Sequence, residues 1–124
     1  MSVKDIEGIC QCGAVRYTVP RLPDEITSCN CTTCRKRGTL WAYYSPKDVH
    51  VEGKTTIFMW GDHDLEFHFC PVCACVSHWA PVDKSYDRMG VNIRLLDPAL
   101  WCFLPRMRWF DGADTWERIE VVLP

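Results

Sequence analysis

The sequence predicts a single domain that is mainly β, with short helical turns between its strands. Short stretches of alternating apolar and polar residues recur along the chain, no long helical period is visible, and nine cysteines fall into close groups. The chain has 124 residues, which suits one domain and is short for two. We therefore expect one domain over residues 1–124, with its motifs between about 8 and 116.

The first cysteine pair, Cys10 and Cys12, is flanked by Gly8 and Gly13 and followed by an alternating stretch over 15–19. The alternation predicts a strand. Two sulfurs on one tetrahedral ion lie about 3.8 Å apart, closer than an extended CxC segment allows. The backbone must therefore curl at this pair, and we expect both glycines to permit it.

The other elements follow from the same alternation and from turn residues. Pro20 and Pro23 bound a linker, and the segment 61–64 is typical of a hairpin turn. Asp97 and Pro98 are typical of the start of a helix. Aromatic residues in the tail, 106–116, indicate that it is ordered. The predicted elements are strands over 26–28, 40–44, 49–51, 55–60, 65–69, 76–80 and 88–95, and a helical turn over 97–101.

Cysteine pairs that are far apart in the sequence have the spacing of a closed four-thiolate zinc site. CxC at Cys10 and Cys12 and CxxC at Cys70 and Cys73 would join the first strand to the predicted hairpin. The alternatives are buried free thiols or a redox-active CxxC pair. No thioredoxin-like βαβ pattern accompanies this CxxC, so we favour a structural metal site.

A second group, Cys29, Cys31 and Cys34, offers three thiolates from one segment. Three protein ligands leave an exchangeable position for a substrate, whereas four make a zinc site inert. Cys75 lies two residues beyond Cys73 and is a candidate for the fourth ligand. The sequence leaves open whether the second site is open or closed.

Other candidate residues carry weaker signals. Arg35 and Arg37 follow the second group directly. They either belong to a solvated basic loop or attract an anionic ligand to the second site. His68 and His78 lie near the late cysteines, where each is a metal ligand, a proton carrier or an ordinary strand residue. Cys102 has no cysteine neighbour and is expected to be buried, and the many aromatic residues are expected to form the core.

Composition limits the partners and the location that we expect. The formal charge is −2, and seven coordinated thiolates would make the protein still more acidic, so we expect no nucleic-acid partner. No apolar run reaches the length of a membrane span, and the N-terminus lacks the features of a signal peptide. We therefore expect a cytoplasmic protein without a membrane partner. The oligomeric state is not predicted.

Taken together, the motifs resemble the family of glutathione-dependent formaldehyde-activating enzymes and centromere protein V. They extend over nearly the whole chain, from Gly8 to Trp116. They are GxCxCGAVRY, CxCxxCRKRG followed by LWAYY, HFCPxCxCVxHW, DRMGVNxRL and FDGADTW.

The resemblance implies an Mss4-like zinc-binding β fold and two Zn²⁺ ions per chain. It implies a structural zinc at Cys10, Cys12, Cys70 and Cys73, and a catalytic zinc at Cys29, Cys31 and Cys34. The implied activity is that of a carbon–sulfur lyase, which condenses formaldehyde or another small aldehyde with a thiol such as glutathione, or cleaves the adduct. The alternative hypothesis is a protein-interaction module without catalysis, in which both zinc ions are structural.

Overall fold

The computed structural model of the protein describes residues 6–103 and 106–119, which form two β-sheets and two short α-helices. Neither α-helix in this part of the chain has the length or apolar character needed to cross a membrane. The helices are α1 (Thr32–Arg37) and α2 (Pro98–Trp101). The strands are β1 (Ile6–Ile9), β2 (Arg16–Val19), β3 (Ile26–Cys29), β4 (Trp41–Tyr44), β5 (His50–Glu52), β6 (Thr56–Phe58), β7 (Leu65–Phe69), β8 (Val76–Pro81), β9 (Met89–Asn92) and β10 (Met107–Phe110).

The larger sheet carries Cys29 at the end of β3, and its strand β7 ends directly before Cys70. It has seven strands in the order β10-β3-β4-β9-β8-β7-β6, and the smaller sheet has three in the order β1-β2-β5. All pairs are antiparallel except β10 with β3, in which Phe110 lies opposite Cys29. The tail of the chain is thereby fixed beside the CxCxxC segment.

Alternation along β4 divides the protein into two apolar layers. Ala42 and Tyr44 face a core shared with Tyr17 of the smaller sheet, and the Tyr17 hydroxyl donates a hydrogen bond to the Asn92 carbonyl at 2.7 Å. Trp41, on the opposite face, packs with Phe67, Trp79 and Cys34 in a second cluster. The second cluster places aromatic side chains directly against a cysteine group.

The prediction of a mainly β fold is confirmed, and the differences from it are local. The predicted strand over 88–95 ends at Asn92, because the Asn92 side chain accepts a hydrogen bond from the Arg94 N–H at 3.3 Å and begins a 3-10 turn. The prediction that Cys102 is buried was wrong, because it is exposed beyond α2. The segment 6–9 before the first cysteine pair is a strand that the sequence did not reveal.

Candidate metal centres

The first cysteine cluster joins two turns that are far apart in the sequence. Cys10 and Cys12 lie in the turn after β1, and Cys70 and Cys73 in the turn after β7. Their four sulfur atoms all lie within 4.8 Å of one another, with Cys10 Sγ 3.7 Å and Cys70 Sγ 3.5 Å from Cys12 Sγ. Sulfurs on a tetrahedral zinc ion are about 3.8 Å apart. The cluster therefore has the donor set and the spacing of a four-thiolate zinc site.

Tight turns direct these sulfurs inward. Gly13 has φ +84° and donates its N–H to the Cys10 carbonyl at 3.0 Å, so it supplies the predicted curl. Gly8 does not share that role: it lies in β1 against the ring of Tyr17, where a Cβ atom would collide with the ring. Ala74 has φ 65° and closes the corresponding turn by donating its N–H to the Cys70 carbonyl at 2.9 Å.

Backbone N–H groups point at the sulfurs of the first cluster. The Val15 N–H donates to Cys10 Sγ at 3.3 Å, and the Val72 N–H donates to Cys70 Sγ at 3.4 Å. Hydrogen bonds from the backbone N–H groups of Cys75 and Cys12 lower the pKa of Cys73 to about 6. Such donors favour the thiolate, which is the form that binds a metal. The residues present therefore fit a zinc ion.

The second cluster is built on one short segment. Cys29 ends β3, Cys31 is the N-cap of α1, and Cys34 lies in the first turn of that helix. Their three sulfur atoms also lie within 4.8 Å of one another. The Cys34 N–H donates to Cys31 Sγ at 3.4 Å, and the Trp41 indole N–H donates to Cys34 Sγ at 3.2 Å. The helix start and Trp41 of β4 therefore fix two of the three sulfurs.

Protonation is divided unequally among these three thiols. Hydrogen bonds from the thiols of Cys29 and Cys34 lower the pKa of Cys31 to about 2. The hydrogen bond with Cys31 raises the pKa of Cys29, and the hydrogen bond with Cys29 raises the pKa of Cys34. Hydrogen bonds from Cys29 and Cys34 therefore favour the thiolate at Cys31, and a divalent cation would replace the shared protons on binding.

Cys75 does not close the second cluster. It packs with Cys10, Cys70 and Cys73, and its carbonyl accepts a hydrogen bond from the Cys70 N–H at 2.9 Å. Within residues 6–103 and 106–119, the second group of potential metal ligands contains three cysteines and no fourth donor from His, Cys, Asp or Glu. The sequence had left open whether Cys75 joins this group, and the structure places Cys75 with the first cluster instead.

The second cluster opens into a cavity of about 390 Å³. Aromatic side chains form much of its wall, so the expectation that the aromatics belong to the core holds only in part. The lining residues are Cys29, Cys31, Cys34, Trp41, Tyr43, Asp64, Leu65, Phe67, Trp79, Tyr86, Arg88, Arg108, Phe110, Gly112 and Trp116.

The tail forms a turn over the second cluster that sequence reasoning did not assign to the site. Gly112 lies so close to Cys29 Sγ that a Cβ atom at this position would overlap the sulfur. Asn30, between two of the cysteines, donates from Nδ2 to Asp111 Oδ1 at 3.1 Å and accepts from the Ala113 N–H at 3.1 Å. Asp111 and Gly112 are typical of a turn, but the sequence does not show that this turn contacts Asn30 in the CxCxxC segment.

Asn30 should therefore support the second cluster specifically. We expect the variant Asn30→Ala to bind the second metal ion about 10 to 100 times more weakly, because it loses both hydrogen bonds to the tail. Competition with a chromogenic chelator would measure the two affinities separately. Asp114→Ala, on the same turn but exposed, serves as the control, and equal affinities in both variants would contradict the supporting role of Asn30.

The remaining candidates lie outside the cavity. Arg35 and Arg37 on α1 do not line it, and Arg37 lies 4.4 Å above the ring of Phe58, so an anion-binding role for the two stays a prediction. His68 and His78 face each other on β7 and β8 with ring centroids 4.2 Å apart. Burial lowers the pKa of His78 to about 3, which keeps its ring neutral. Neither histidine is close enough to join a cysteine cluster.

Comparison with known proteins gives a family match and a similar solved structure. Residues 5–112 match the model of a family described as glutathione-dependent formaldehyde-activating enzyme. A crystal structure of a Rhodobacter sphaeroides protein, 28% identical in sequence, superposes with a TM-score of 0.71. The match covers 84% of this chain and 99% of that one. No curated protein shows significant similarity to the chain.

Proposed function

Because this chain belongs to the family of glutathione-dependent formaldehyde-activating enzymes, we propose that it is a zinc-dependent carbon–sulfur lyase. It would condense a small aldehyde such as formaldehyde with a thiol such as glutathione, or cleave the product. In the forward direction the thiol sulfur bonds to the carbonyl carbon, the carbonyl π bond breaks, and the thiol proton ends on the new hydroxyl oxygen. The step is redox-neutral and needs no further reactant.

The observation that carries this proposal is the three-thiol cluster at the wall of a cavity. Cys29, Cys31 and Cys34 would hold a zinc ion, which would supply Lewis acidity and favour the thiolate form of a substrate thiol. In contrast, the four sulfurs of the first cluster would saturate their ion, which would then have a structural role. With three protein ligands the second site would be reactive, and with four the first site would stabilise the fold.

The chain's own residues would organise the reaction. Trp41 is 2% exposed and its indole N–H donates to Cys34 Sγ, which opposes rotation of this ligand away from the cluster. Phe67 and Trp79 are also buried and exclude water from the adjoining wall. Two reactants confined in such a cavity meet more often than in solution, and the cavity restricts their relative orientation. We therefore expect most of the acceleration to come from proximity and water exclusion.

Glutathione binding to the zinc-loaded protein tests the proposal. We expect a calorimetric titration to show binding by the parent protein and none by the variant Cys31→Ser, which should retain one ion in place of two. With ¹³C-formaldehyde present, NMR exchange measurements should show adduct formation at least about tenfold faster with the parent than with the variant. Absence of both binding and exchange in the fully loaded parent protein would exclude the proposed activity.

X-ray absorption would distinguish this activity from the alternative of an interaction module with two structural zinc ions. We expect the second ion to carry a fourth ligand lighter than sulfur, and sulfur from an added thiol to replace that ligand. Four sulfurs at both ions before any addition would favour the interaction module.

A further inference from the structure

The buried part of the cavity wall has few groups that could bind a peptide. Next to the cysteines, its buried side chains are Trp41, Phe67 and Trp79. Peptide N–H and C=O groups that lose water without gaining a partner cost free energy. A ligand portion lying between the cysteines and these rings should therefore be apolar, and a flat aromatic group suits such a wall.

Charged groups reach the cavity from only a few positions. Arg88 and Arg108 line it, with Asp64 at an exposed edge. Arg108 is already engaged, because its Nε lies 3.8 Å from Glu25 Oε1. Arg88 forms no ion pair among residues 6–103 and 106–119, and its guanidinium carbon lies 3.9 Å from the ring centroid of Tyr43.

Tyr43 connects this arginine to the aromatic wall. It lies beside Trp79 with ring centroids 6.0 Å apart and packs in the same apolar cluster as Cys29. Burial raises the pKa of Tyr43, and the charges of the Arg88 and Arg108 guanidinium groups act in the opposite direction. A half-buried guanidinium that lies over a ring and forms no ion pair is a strong site for a carboxylate.

We propose that the cavity binds a ligand with an aromatic group and one carboxylate, the carboxylate paired with Arg88 and the aromatic group against the wall formed by Trp41, Phe67 and Trp79. This proposal rests on the proposed function, because the thiol or aldehyde of the same ligand would point towards Cys29, Cys31 and Cys34. The preferred substrate class is then an arylalkyl thiol or aromatic aldehyde that carries an acid group. Glutathione would be a weaker ligand, because its peptide groups find few partners on the buried, aromatic part of this wall.

Three probes with one ring skeleton separate the contributions. They are 4-(mercaptomethyl)benzoate, which carries both groups, 4-methylbenzyl mercaptan, which lacks the carboxylate, and 4-methylbenzoate, which lacks the thiol. Calorimetry and the indole N–H signals of the ¹⁵N-labelled, zinc-loaded protein would report binding, with glutathione as a fourth ligand. The test variant is Arg88→Met. Arg21→Met is the matched control, since Arg21 lies 5.7 Å from the ring of Tyr44, whose side chain faces the opposite layer.

We expect Arg88→Met to weaken both carboxylate probes about tenfold or more and to leave 4-methylbenzyl mercaptan within about twofold, because only a charge-assisted hydrogen bond is lost. We expect 4-(mercaptomethyl)benzoate to bind more tightly than glutathione. If 4-methylbenzoate binds through Arg88 but a thiol adds no affinity, the carboxylate site stands and the proposed function fails. If thiols bind equally with or without a carboxylate, or with Arg88 replaced, this inference is overturned and the proposed function stands. Failure of all four ligands overturns both.

Discussion

The variant Cys70→Ser should lose one metal ion and most of its stability. Cys70 is fully buried, and its sulfur accepts a hydrogen bond from the Val72 N–H. This sulfur belongs to the cluster that joins the turn after β1 to the turn after β7. Metal binding contributes directly to folding when the unfolded chain has no preformed site. A thousandfold weaker site removes about 4 kcal/mol, so we expect the midpoint of thermal unfolding to fall by roughly 15 °C or more.

Metal analysis and thermal unfolding of the same preparations would measure this effect. Cys102→Ser is the control, because Cys102 is exposed and lies outside both clusters. Cys31→Ser should also lose an ion but unfold at a higher temperature than Cys70→Ser. The three sulfurs of the second cluster come from one short segment, so the ion there joins no distant parts of the chain. Equal unfolding temperatures in the two site variants would argue against separate structural and reactive sites.

Spacing was sufficient to group the cysteines because short motifs restrict their own geometry. CxC and CxxC each form a turn whose two sulfurs can reach one ion, and a second cysteine pair is needed to complete a set of four thiolates. In the structure the cysteines of each predicted group lie close together. The first group includes Cys12 and Cys70, which are 58 residues apart in the sequence. Strands β2 to β9 were visible for a similar reason, since alternation is a local property that survives without knowledge of the partner strand.

Features that depend on distant pairing were not predictable. Cys75 follows Cys73 closely in sequence, with Ala74 at φ 65° between them, and it packs with the first cluster and not with the second. The parallel pairing of β10 with β3 joins segments about 80 residues apart and brings Arg108 to the cavity. Arg88 gave no signal either, whereas Arg35 and Arg37 stood out only because they adjoin the cysteines in sequence.

The two clusters therefore differ in what surrounds them as well as in their ligand number. Tight turns form the first, and backbone N–H groups donate to the sulfurs of its two buried members, Cys10 and Cys70. The second is bounded by a helix start, by Trp41 and by the tail turn at Gly112, and its remaining side faces the aromatic wall. Replacing a residue of that boundary should disturb the second site while leaving the first intact.

The variant Gly112→Ala should be the most selective disruption of the second site. A methyl group at this position would overlap Cys29 Sγ, and the turn cannot retreat because Asn30 holds the residues on both sides, Asp111 and Ala113. The sulfur must move, so we expect the second ion to bind at least about 100 times more weakly and adduct formation to fall to the level of Cys31→Ser. Elemental analysis after dialysis against a weak chelator would show one ion in place of two. Ala113→Ser, one residue along and exposed, should keep both ions; a Gly112→Ala protein that also keeps both would show that the tail turn does not constrain Cys29.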